Sequence, residues 1–240
     1  MKAFILAAGL GTRLKPYTDS VPKALVPVNG MPLLERNLKY LAAQGITEFV
    51  VNVHHFADKV VDFLRQNNNL GLQISISDER DLLLETGGGL RKAALLLNNG
   101  KPFLIYNVDI ISSVNVQELY KFHVANNALA TLAVNNRTSS RYFLFDSENR
   151  LCGWKNTKTG EIKQPVQTTE VLTPLAFGGI HVVSPEIFPA LEIFGEKFPI
   201  ADVYLSLANT QRIFAYDIKD AMLLDVGKPE ALMQAEKLLS

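Results

Sequence analysis

Two glycines and two cations near the start of the chain have the types and spacing of a phosphate-binding loop. Gly9 and Gly11 follow an apolar run, Lys2 to Ala8, that has the length of a buried strand. Glycines one residue apart let backbone N–H groups approach a phosphate without hindrance from Cβ atoms. Arg13 follows at once and Lys23 comes ten residues later, adding two positive charges. This arrangement favours a loop that binds phosphate. The alternative interpretation is a tight turn with two solvated cations.

Two aspartates follow apolar runs later in the chain and are the best-placed candidates for metal ligands. Asp109 follows residues 103–108, and Asp225 follows Leu223 and Leu224. Carboxylates at the exposed ends of buried strands suit Mg²⁺, which prefers oxygen ligands and keeps several waters. The alternative for each is a helix cap or an ordinary loop residue.

The two commonest nucleotide-binding motifs are absent. A dinucleotide fingerprint needs a third glycine at position 14, which is Leu14, and an acidic residue after the second strand, where Val53 and His54 stand. The only Gly-Lys pairs, at 100–101 and 227–228, lack the upstream glycine of a P-loop. These departures argue against a dehydrogenase.

Strands and helices alternate through the first 135 residues. The pattern predicts strands at 2–8, 48–53, 73–77, 102–107 and 128–134, and helices at 32–45, 57–65, 89–97 and 115–125. Such alternation is typical of βαβ units, and it predicts an α/β fold with a mainly parallel sheet covered on both faces. Ligands of such sheets bind at the carboxyl ends of the strands, where the Gly9 loop and Asp109 both fall.

The alternation stops at Asn135, and residues 135–173 are predicted to form a small β-rich insertion without a core of its own. Strands at 175–183, 213–218 and 221–224 and helices at 185–191, 200–208 and 228–239 follow. We expect one domain over residues 1–240, with no hexapeptide-repeat domain after it.

Composition narrows the functional classes. Lysine plus arginine and aspartate plus glutamate each number 24, so the balanced charge argues against nucleic acid and anionic membrane surfaces as partners. No apolar run approaches the roughly 20 residues of a membrane span, and the single Cys152 fits a reducing compartment. We expect a cytoplasmic protein that is a monomer or a small homo-oligomer.

Two longer segments, Leu6 to Thr18 and Pro22 to Val28, resemble the signature of the sugar nucleotidyltransferases. That pattern reads Leu-Ala-Ala-Gly-x-Gly-Thr-Arg-Leu-x-Pro-x-Thr and then Pro-Lys-x-Leu-x-Pro-Val. The resemblance implies the nucleotide-diphospho-sugar transferase fold, a three-layer Rossmann-like α/β/α arrangement. It also implies that Mg²⁺ assists the joining of a nucleoside triphosphate to a sugar 1-phosphate, with release of pyrophosphate.

Four further segments look like motifs of the same family, and we transfer their roles as expectations. They are Leu84 to Gly89, Asn107 to Ile110, Phe177 to His181 and Asp225 to Gly227, with Trp154-Lys155 as a looser match. Arg13 and Lys23 would be catalytic, and Asp109 and Asp225 would bind the metal. The residues expected to bind the nucleotide are Leu6, Ala7, Ala8, Gly9, Gly11, Thr12, Arg13, Glu85, Thr86, Gly87 and Gly88. The residues expected to bind the sugar phosphate are Lys23, Asn107, Lys155 and Gly179.

Two features bear on the substrates. The three glycines 87–89 are predicted to precede a helix, so that their N–H groups face an anion or their backbone accepts a flat ring. Val108 stands where the family usually has glycine, which would place a branched side chain near the substrates.

The resemblance implies UTP and N-acetylmuramic acid 1-phosphate as substrates. Guanylyl transfer to mannose 1-phosphate, or transfer to another hexose 1-phosphate, is the alternative. A regulatory homologue that binds nucleotide or sugar phosphate without turnover is the alternative of another class.

Overall fold

The computed structural model describes residues 1–239, and Ser240 lies outside them. The strands are β1 (Lys2–Leu6), β2 (Pro27–Val28), β3 (Met31–Pro32), β4 (Glu48–Val53), β5 (Gln73–Asp78), β6 (Phe103–Asn107), β7 (Ile110–Ser112), β8 (Ala130–Asn135), β9 (Arg141–Phe145), β10 (Leu151–Asn156), β11 (Ile162–Lys163), β12 (Thr173–Val183), β13 (Ile213–Asp217) and β14 (Leu223–Asp225). The helices are α1 (Leu33–Ala43), α2 (Ala57–Gln66), α3 (Glu85–Lys92), α4 (Ala94–Leu97), α5 (Val116–Ala125), α6 (Phe188–Leu191), α7 (Ile200–Leu207) and α8 (Pro229–Leu238).

The central sheet has the order β13-β8-β12-β6-β1-β4-β5. Strands β6, β1, β4 and β5 are parallel to one another, β8 and β13 share their direction, and β12 runs antiparallel to its neighbours. The mainly parallel α/β sheet expected from the alternation is confirmed. The carboxyl ends of β1, β4 and β6 therefore meet at one edge, where Leu6 lies between Asn52 and Asn107.

Helices cover both faces of this sheet and produce two apolar cores. One core joins the sheet to α1, α2, α5 and α8, with Leu38, Val60, Leu119 and Leu232 fully or almost fully buried. The other joins it to α3, α4, α6 and α7. The three-layer α/β/α arrangement follows, because each inner strand is apolar on both sides. None of the helices in residues 1–239 is long and apolar enough to cross a membrane.

The β-rich insertion is continuous with the central sheet. Strands β9, β10 and β11 form an antiparallel ribbon, and β9 pairs with residues Thr173 to Leu175 at the start of β12. The pairing of β12 with β8 shifts register between Phe177 and His181, around Gly178 and Gly179. Gly179 has φ +73°, which favours glycine. One long strand thus connects the central sheet to the ribbon.

A small two-stranded sheet attaches the C-terminal part of the chain to the edge of the central sheet; the sequence predicted its strand at 221–224 but not the partner strand β7. Strands β7 and β14 are antiparallel, with Asp225 opposite Ile110. The Val226 N–H also donates to the Asp109 carbonyl oxygen at 2.9 Å. This pairing brings Asp109 and Asp225 together although they are far apart in sequence.

One predicted helix boundary is wrong. The sequence predicted a helix starting at Gly89, whereas α3 starts at Glu85 and contains all three glycines. Glycine has low helix propensity, so local preference placed the start too late. The helix starts earlier because Gly87 packs against Phe198 and Gly88 packs against Glu196.

Candidate active site

A cleft of about 460 Å³ opens at the carboxyl edge of the sheet. Its walls come from the ends of β1, β4 and β6, the start of α3, and the ribbon. The residues that line it are Leu6, Ala8, Gly9, Lys23, Asn52, Glu79, Leu83, Glu85, Thr86, Asn107, Val108, Asp109, Arg141 and Pro199. A neighbouring cavity of about 240 Å³ shares Lys23 and is lined by Leu10, Gly11, Thr12, Arg13, Leu83 and Gly227.

A larger cavity, of about 560 Å³, lies at the opposite edge, between residues that precede β6, β8 and β13 and residues that follow β12. Its polar residues include the buried His123, whose ring nitrogens lie 3.0 Å from Thr131 Oγ1 and 2.9 Å from Ser184 Oγ. Both nitrogens have partners within the protein. The sequence motifs lie at the other edge of the sheet, in the first two cavities.

The loop after β1 is shaped by a glycine with left-handed backbone geometry. Gly11 has φ +66°, and a Cβ atom there would lie 2.8 Å from Thr18 Cγ2 and 3.2 Å from Lys23 Cβ. The Gly11 carbonyl oxygen accepts hydrogen bonds from Thr18 Oγ1 and Leu14 N–H, both at 2.8 Å. Only glycine fits this position without strain. The tight turn places Arg13 and Lys23 on the walls of the smaller cavity.

Asn52, near the end of β4, forms hydrogen bonds with the start of the same loop. Its Oδ1 accepts hydrogen bonds from Ala7 N–H at 2.6 Å and Ala8 N–H at 3.2 Å. Its Nδ2 donates to Glu79 Oε1 at 2.7 Å. The N–H groups of Ala7 and Ala8 therefore point into the protein, toward Asn52. These two hydrogen bonds fix the course of the backbone where it enters the loop.

Glu79 is a fully buried carboxylate. Besides Asn52 it accepts a 3.4 Å hydrogen bond from Leu84 N–H, and its carbonyl oxygen contacts His54 Nδ1 at 2.7 Å. Burial raises the pKa of Glu79, and the hydrogen bonds from Asn52 and Leu84 oppose that rise. Asn52 and Glu79 connect the loop after β1 to the start of α3. Neither was predicted, although an asparagine inside the apolar run 48–53 was a signal that could have identified it.

The predicted catalytic and metal residues come together around Gly227. Lys23 Nζ forms an ion pair with Asp109 Oδ2, and both side chains are mostly buried. A Cβ atom at Gly227 would lie 2.8 Å from Asp225 Oδ1, 2.9 Å from Arg13 Nη2 and 3.1 Å from Asp109 Oδ2. Those two carboxylate oxygens are therefore within about 6 Å of each other. The absent side chain at Gly227 leaves room for two cations and two carboxylates to converge.

The donor set fits Mg²⁺ bound together with substrate phosphates. In residues 1–239 no group of three or more histidine, cysteine, aspartate or glutamate side chains is arranged to hold a metal. Two carboxylates are too few for an all-protein site, but Mg²⁺ commonly takes one or two carboxylates and completes its shell with water and phosphate oxygens. Asp225 Oδ1 also accepts a hydrogen bond from Gly227 N–H at 2.9 Å, which orients the carboxylate.

Gly87 and Gly88 of α3 pack against the segment before α7, and their N–H groups are not free to bind an anion. Both N–H groups donate to the Phe198 carbonyl oxygen, at 2.9 and 3.3 Å. A Cβ atom at Gly87 would lie 2.4 Å from the Phe198 ring, and one at Gly88 would lie 2.6 Å from the Glu196 carbonyl oxygen. Glu85 and Thr86, by contrast, line the cleft.

The predicted sugar-phosphate residues are only partly brought together. Lys23 and Asn107 line the cleft, and Gly179 lies beneath Asn107, where a Cβ atom would be 2.8 Å from Asn107 Nδ2. Lys155 on β10 lies instead over the Tyr142 ring, at 5.7 Å, and lines neither cavity. Arg141 is the residue of the ribbon that lines the cleft.

Val108 is only 2% exposed and belongs to the core on the α1 side. Its N–H donates to the Leu6 carbonyl oxygen, and its carbonyl oxygen accepts from Asn37 Nδ2 at 2.8 Å. The branched side chain is therefore accommodated by the core.

The family is established by comparison with known proteins. The nucleotidyl transferase family matches residues 2–164, so the chain belongs to that family. Its relatives further define it as a sugar-1-phosphate nucleotidyltransferase.

Individual relatives differ in length and substrate. The N-acetylmuramate alpha-1-phosphate uridylyltransferase of Caulobacter vibrioides is 34% identical over 249 aligned positions, covering 99% of this chain and 96% of the relative. The mannose-1-phosphate guanyltransferase beta-A of Xenopus laevis is 27% identical over 96% of this chain, which spans only 62% of that relative. The crystal structure of HddC from Yersinia pseudotuberculosis complexed with GMP-PN has a TM-score of 0.78 at 21% identity, covering 100% of this chain and 99% of that one. This last similarity is one of fold.

Proposed function

We propose that the chain transfers the uridylyl group of UTP to N-acetylmuramic acid 1-phosphate and releases pyrophosphate. The observation that carries the proposal is the convergence of Arg13, Lys23, Asp109 and Asp225 around Gly227, beside a cleft large enough for a nucleotide. The choice of substrates rests on similarity to the Caulobacter vibrioides uridylyltransferase along nearly the whole of both chains.

The reaction needs positioning and charge neutralisation. An oxygen of the sugar phosphate attacks the α-phosphorus of UTP, and pyrophosphate leaves on the opposite side. Because the attacking oxygen is already an anion, no general base has to remove a proton. Holding the two phosphates in line and neutralising their repulsion accounts for the catalysis.

The positions of the two cations support a separate task for each. Arg13 lines the smaller cavity with Gly11 and Thr12, where it would hold the β- and γ-phosphates. Lys23 lines both cavities, which supports a role at the α-phosphate, between nucleotide and sugar phosphate. There its ammonium would stabilise the charge that develops during transfer.

Asp109 and Asp225 would hold Mg²⁺, and the metal when bound supplies charge neutralisation between the two phosphates. Lys23 contacts Asp109, which keeps the ammonium next to the carboxylate that a metal would share. The nucleoside would lie beside Gly9 and the Glu85–Thr86 segment, which both line the cleft. We also infer a cytoplasmic location, which the single, unpaired Cys152 supports.

A regulatory, non-catalytic homologue is disfavoured by the same geometry. Both predicted catalytic cations and both predicted metal ligands are retained and lie close together. A chain selected only to bind ligand has no need for a carboxylate pair of this kind.

The test measures pyrophosphate release with Mg²⁺, crossing the four nucleoside triphosphates against the 1-phosphates of N-acetylmuramic acid, N-acetylglucosamine, glucose and mannose. We expect release with UTP and N-acetylmuramic acid 1-phosphate, and its loss in Asp109→Asn and Asp225→Asn. Asp62→Asn, which alters an exposed ion pair with Arg65, is the matched control and should remain active. Release with GTP and mannose 1-phosphate instead would show that the protein is a mannose-1-phosphate guanylyltransferase. Full activity in either aspartate variant at the site would refute the metal assignment.

A further inference from the structure

Two arginines of the described chain have no hydrogen-bond or ion-pair partner for their guanidinium groups, and both line the active site. They are Arg13 and Arg141. The others in residues 1–239 are engaged with carboxylates or backbone carbonyl oxygens: Arg36, Arg65, Arg80, Arg91, Arg137, Arg150 and Arg212. An arginine without a protein partner, placed in a binding cleft, is poised to bind an anion from solution.

The two free guanidinium groups belong to different parts of the site. Arg13 lies in the smaller cavity with the glycine loop. Arg141 is the first residue of β9, in the ribbon, and shares the larger cleft with Asn107 and Asp109. Arg13 therefore serves the triphosphate, and Arg141 approaches the cleft from the side of the insertion.

Three other cations of the ribbon have partners within the protein. Lys155 lies over the Tyr142 ring, and Lys163 pairs with Asp202 at 3.1 Å while lying over the Trp154 ring. Arg150 pairs with Glu148 on the surface. Lys158 is exposed in the turn after β10 and lines neither cavity. Within the described ribbon, Arg141 is thus the cation that lines the cleft.

We propose that Arg141 binds a carboxylate carried by the sugar, so that the enzyme selects an acidic sugar 1-phosphate over neutral ones. This inference rests on the proposed function. In the proposed reaction the phosphate groups would lie at Lys23, Arg13 and the two metal ligands, which leaves the additional guanidinium for a further anionic group. N-acetylmuramic acid differs from N-acetylglucosamine by a lactyl ether that ends in a carboxylate, and the planar guanidinium fork matches a carboxylate through two parallel hydrogen bonds.

The experiment compares three sugar 1-phosphates with UTP and Mg²⁺: that of N-acetylmuramic acid, its uncharged lactyl amide of nearly equal size, and that of N-acetylglucosamine. We expect Arg141→Met to lower kcat/KM for the acid by roughly 10- to 100-fold, the range of a charge-assisted hydrogen bond. The values for the amide and for N-acetylglucosamine should stay within about threefold, because neither carries the carboxylate. Arg141→Lys should recover part of the loss, since the charge returns without the planar fork.

Arg150→Met is the matched control: it removes another exposed arginine of the ribbon and should leave all three substrates unchanged. An equal loss for all three substrates in Arg141→Met would show that Arg141 holds the shared phosphate, and no loss would show that it contacts none of them. Either result overturns the inference.

A binding measurement separates this inference from the proposed reaction. Calorimetry with Mg²⁺ and a non-hydrolysable UTP analogue compares the acid with the amide, independently of turnover. Tighter binding of the acid that Arg141→Met abolishes supports the role of Arg141 even where no transfer is seen. Equal binding of acid and amide to the wild-type enzyme refutes it even where transfer occurs.

Discussion

Replacement of Asn52 by alanine should destabilise the protein strongly although the side chain is small. Asn52 is 2% exposed and makes three hydrogen bonds, to Ala7 N–H, Ala8 N–H and Glu79 Oε1. Truncation leaves two buried donors and one buried carboxylate without this partner. Each orphaned group costs about 1–3 kcal/mol. Because Ala8 and Glu79 line the cleft, water replaces part of the loss, and we expect a net cost of about 3–4 kcal/mol.

The assay is urea unfolding followed by circular dichroism, supported by thermal unfolding. For a chain of this size, about 2–4 °C per kcal/mol predicts a fall of roughly 10 °C in Tm. Asn67→Ala, which removes an exposed side-chain hydrogen bond to the Phe63 carbonyl oxygen, should change stability by less than about 0.5 kcal/mol.

A second variant identifies which hydrogen bonds matter. Asn52→Asp retains acceptors for Ala7 and Ala8 N–H but replaces the donor to Glu79 with a second carboxylate. We expect it to be less stable than the wild type at neutral pH, and this difference in stability should shrink as the pH falls toward 5, because protonation of either carboxylate relieves the repulsion. A loss below about 1 kcal/mol in Asn52→Ala, or a difference in stability between Asn52→Asp and the wild type that does not change with pH, would refute the view that Asn52 joins the loop to Glu79.

Three further predictions concern the site and the buried histidines. Lys23→Ala should lower the rate of transfer by more than it weakens nucleotide binding, measured by single-turnover kinetics and calorimetry; a change confined to affinity would contradict its place at the α-phosphate. Gly227→Ala should reduce kcat at least tenfold with little change in Tm, because its Cβ would lie 2.8 Å from Asp225 Oδ1 and disturb the carboxylate pair; normal kcat would mean that the pair tolerates displacement. Burial lowers the pKa of His123 to about 4 and that of His181 to about 3. Their unfolded pKa is about 6.5, so the unfolded chain takes up the protons first and stability falls as pH decreases below that value. Urea titrations at pH 7 and pH 5 should show about 2 kcal/mol less stability for each histidine, and His123→Gln should reduce this difference by about half.

The parts of the fold that local pattern determines were predictable. The alternation of apolar strands and amphipathic helices located β1, β4, β5, β6 and β8 to within about two residues, since each of these segments carries its own periodicity. The glycine loop was also local, because Gly11 and Arg13 lie within a few residues of each other.

Features that depend on register or on distant packing were not predictable. Asn52 contacts the loop only because β4 lies beside β1 in the register that puts it opposite Leu6. In the ribbon, the predicted Lys155 and the observed Arg141 lie on adjacent strands that pair one residue apart, with Lys155 opposite Tyr142 and Arg141 opposite Asn156. A shift of one residue moves a strand side chain to the other face, so a loose motif match could not choose between them.

The pairing of β7 with β14 has a consequence for how the enzyme is made. Asp225 leaves the ribosome more than a hundred residues after Asp109, and β14 pairs with β7 to bring the two carboxylates together. Synthesis proceeds from the N-terminus, so the parallel strands that carry the glycine loop emerge well before their second carboxylate. The nascent chain can form its glycine loop early, but the proposed reaction centre is incomplete until β14 is added. Proteolysis that removes β14 from the finished protein would return it to that earlier state, with the glycine loop present and the carboxylate pair broken.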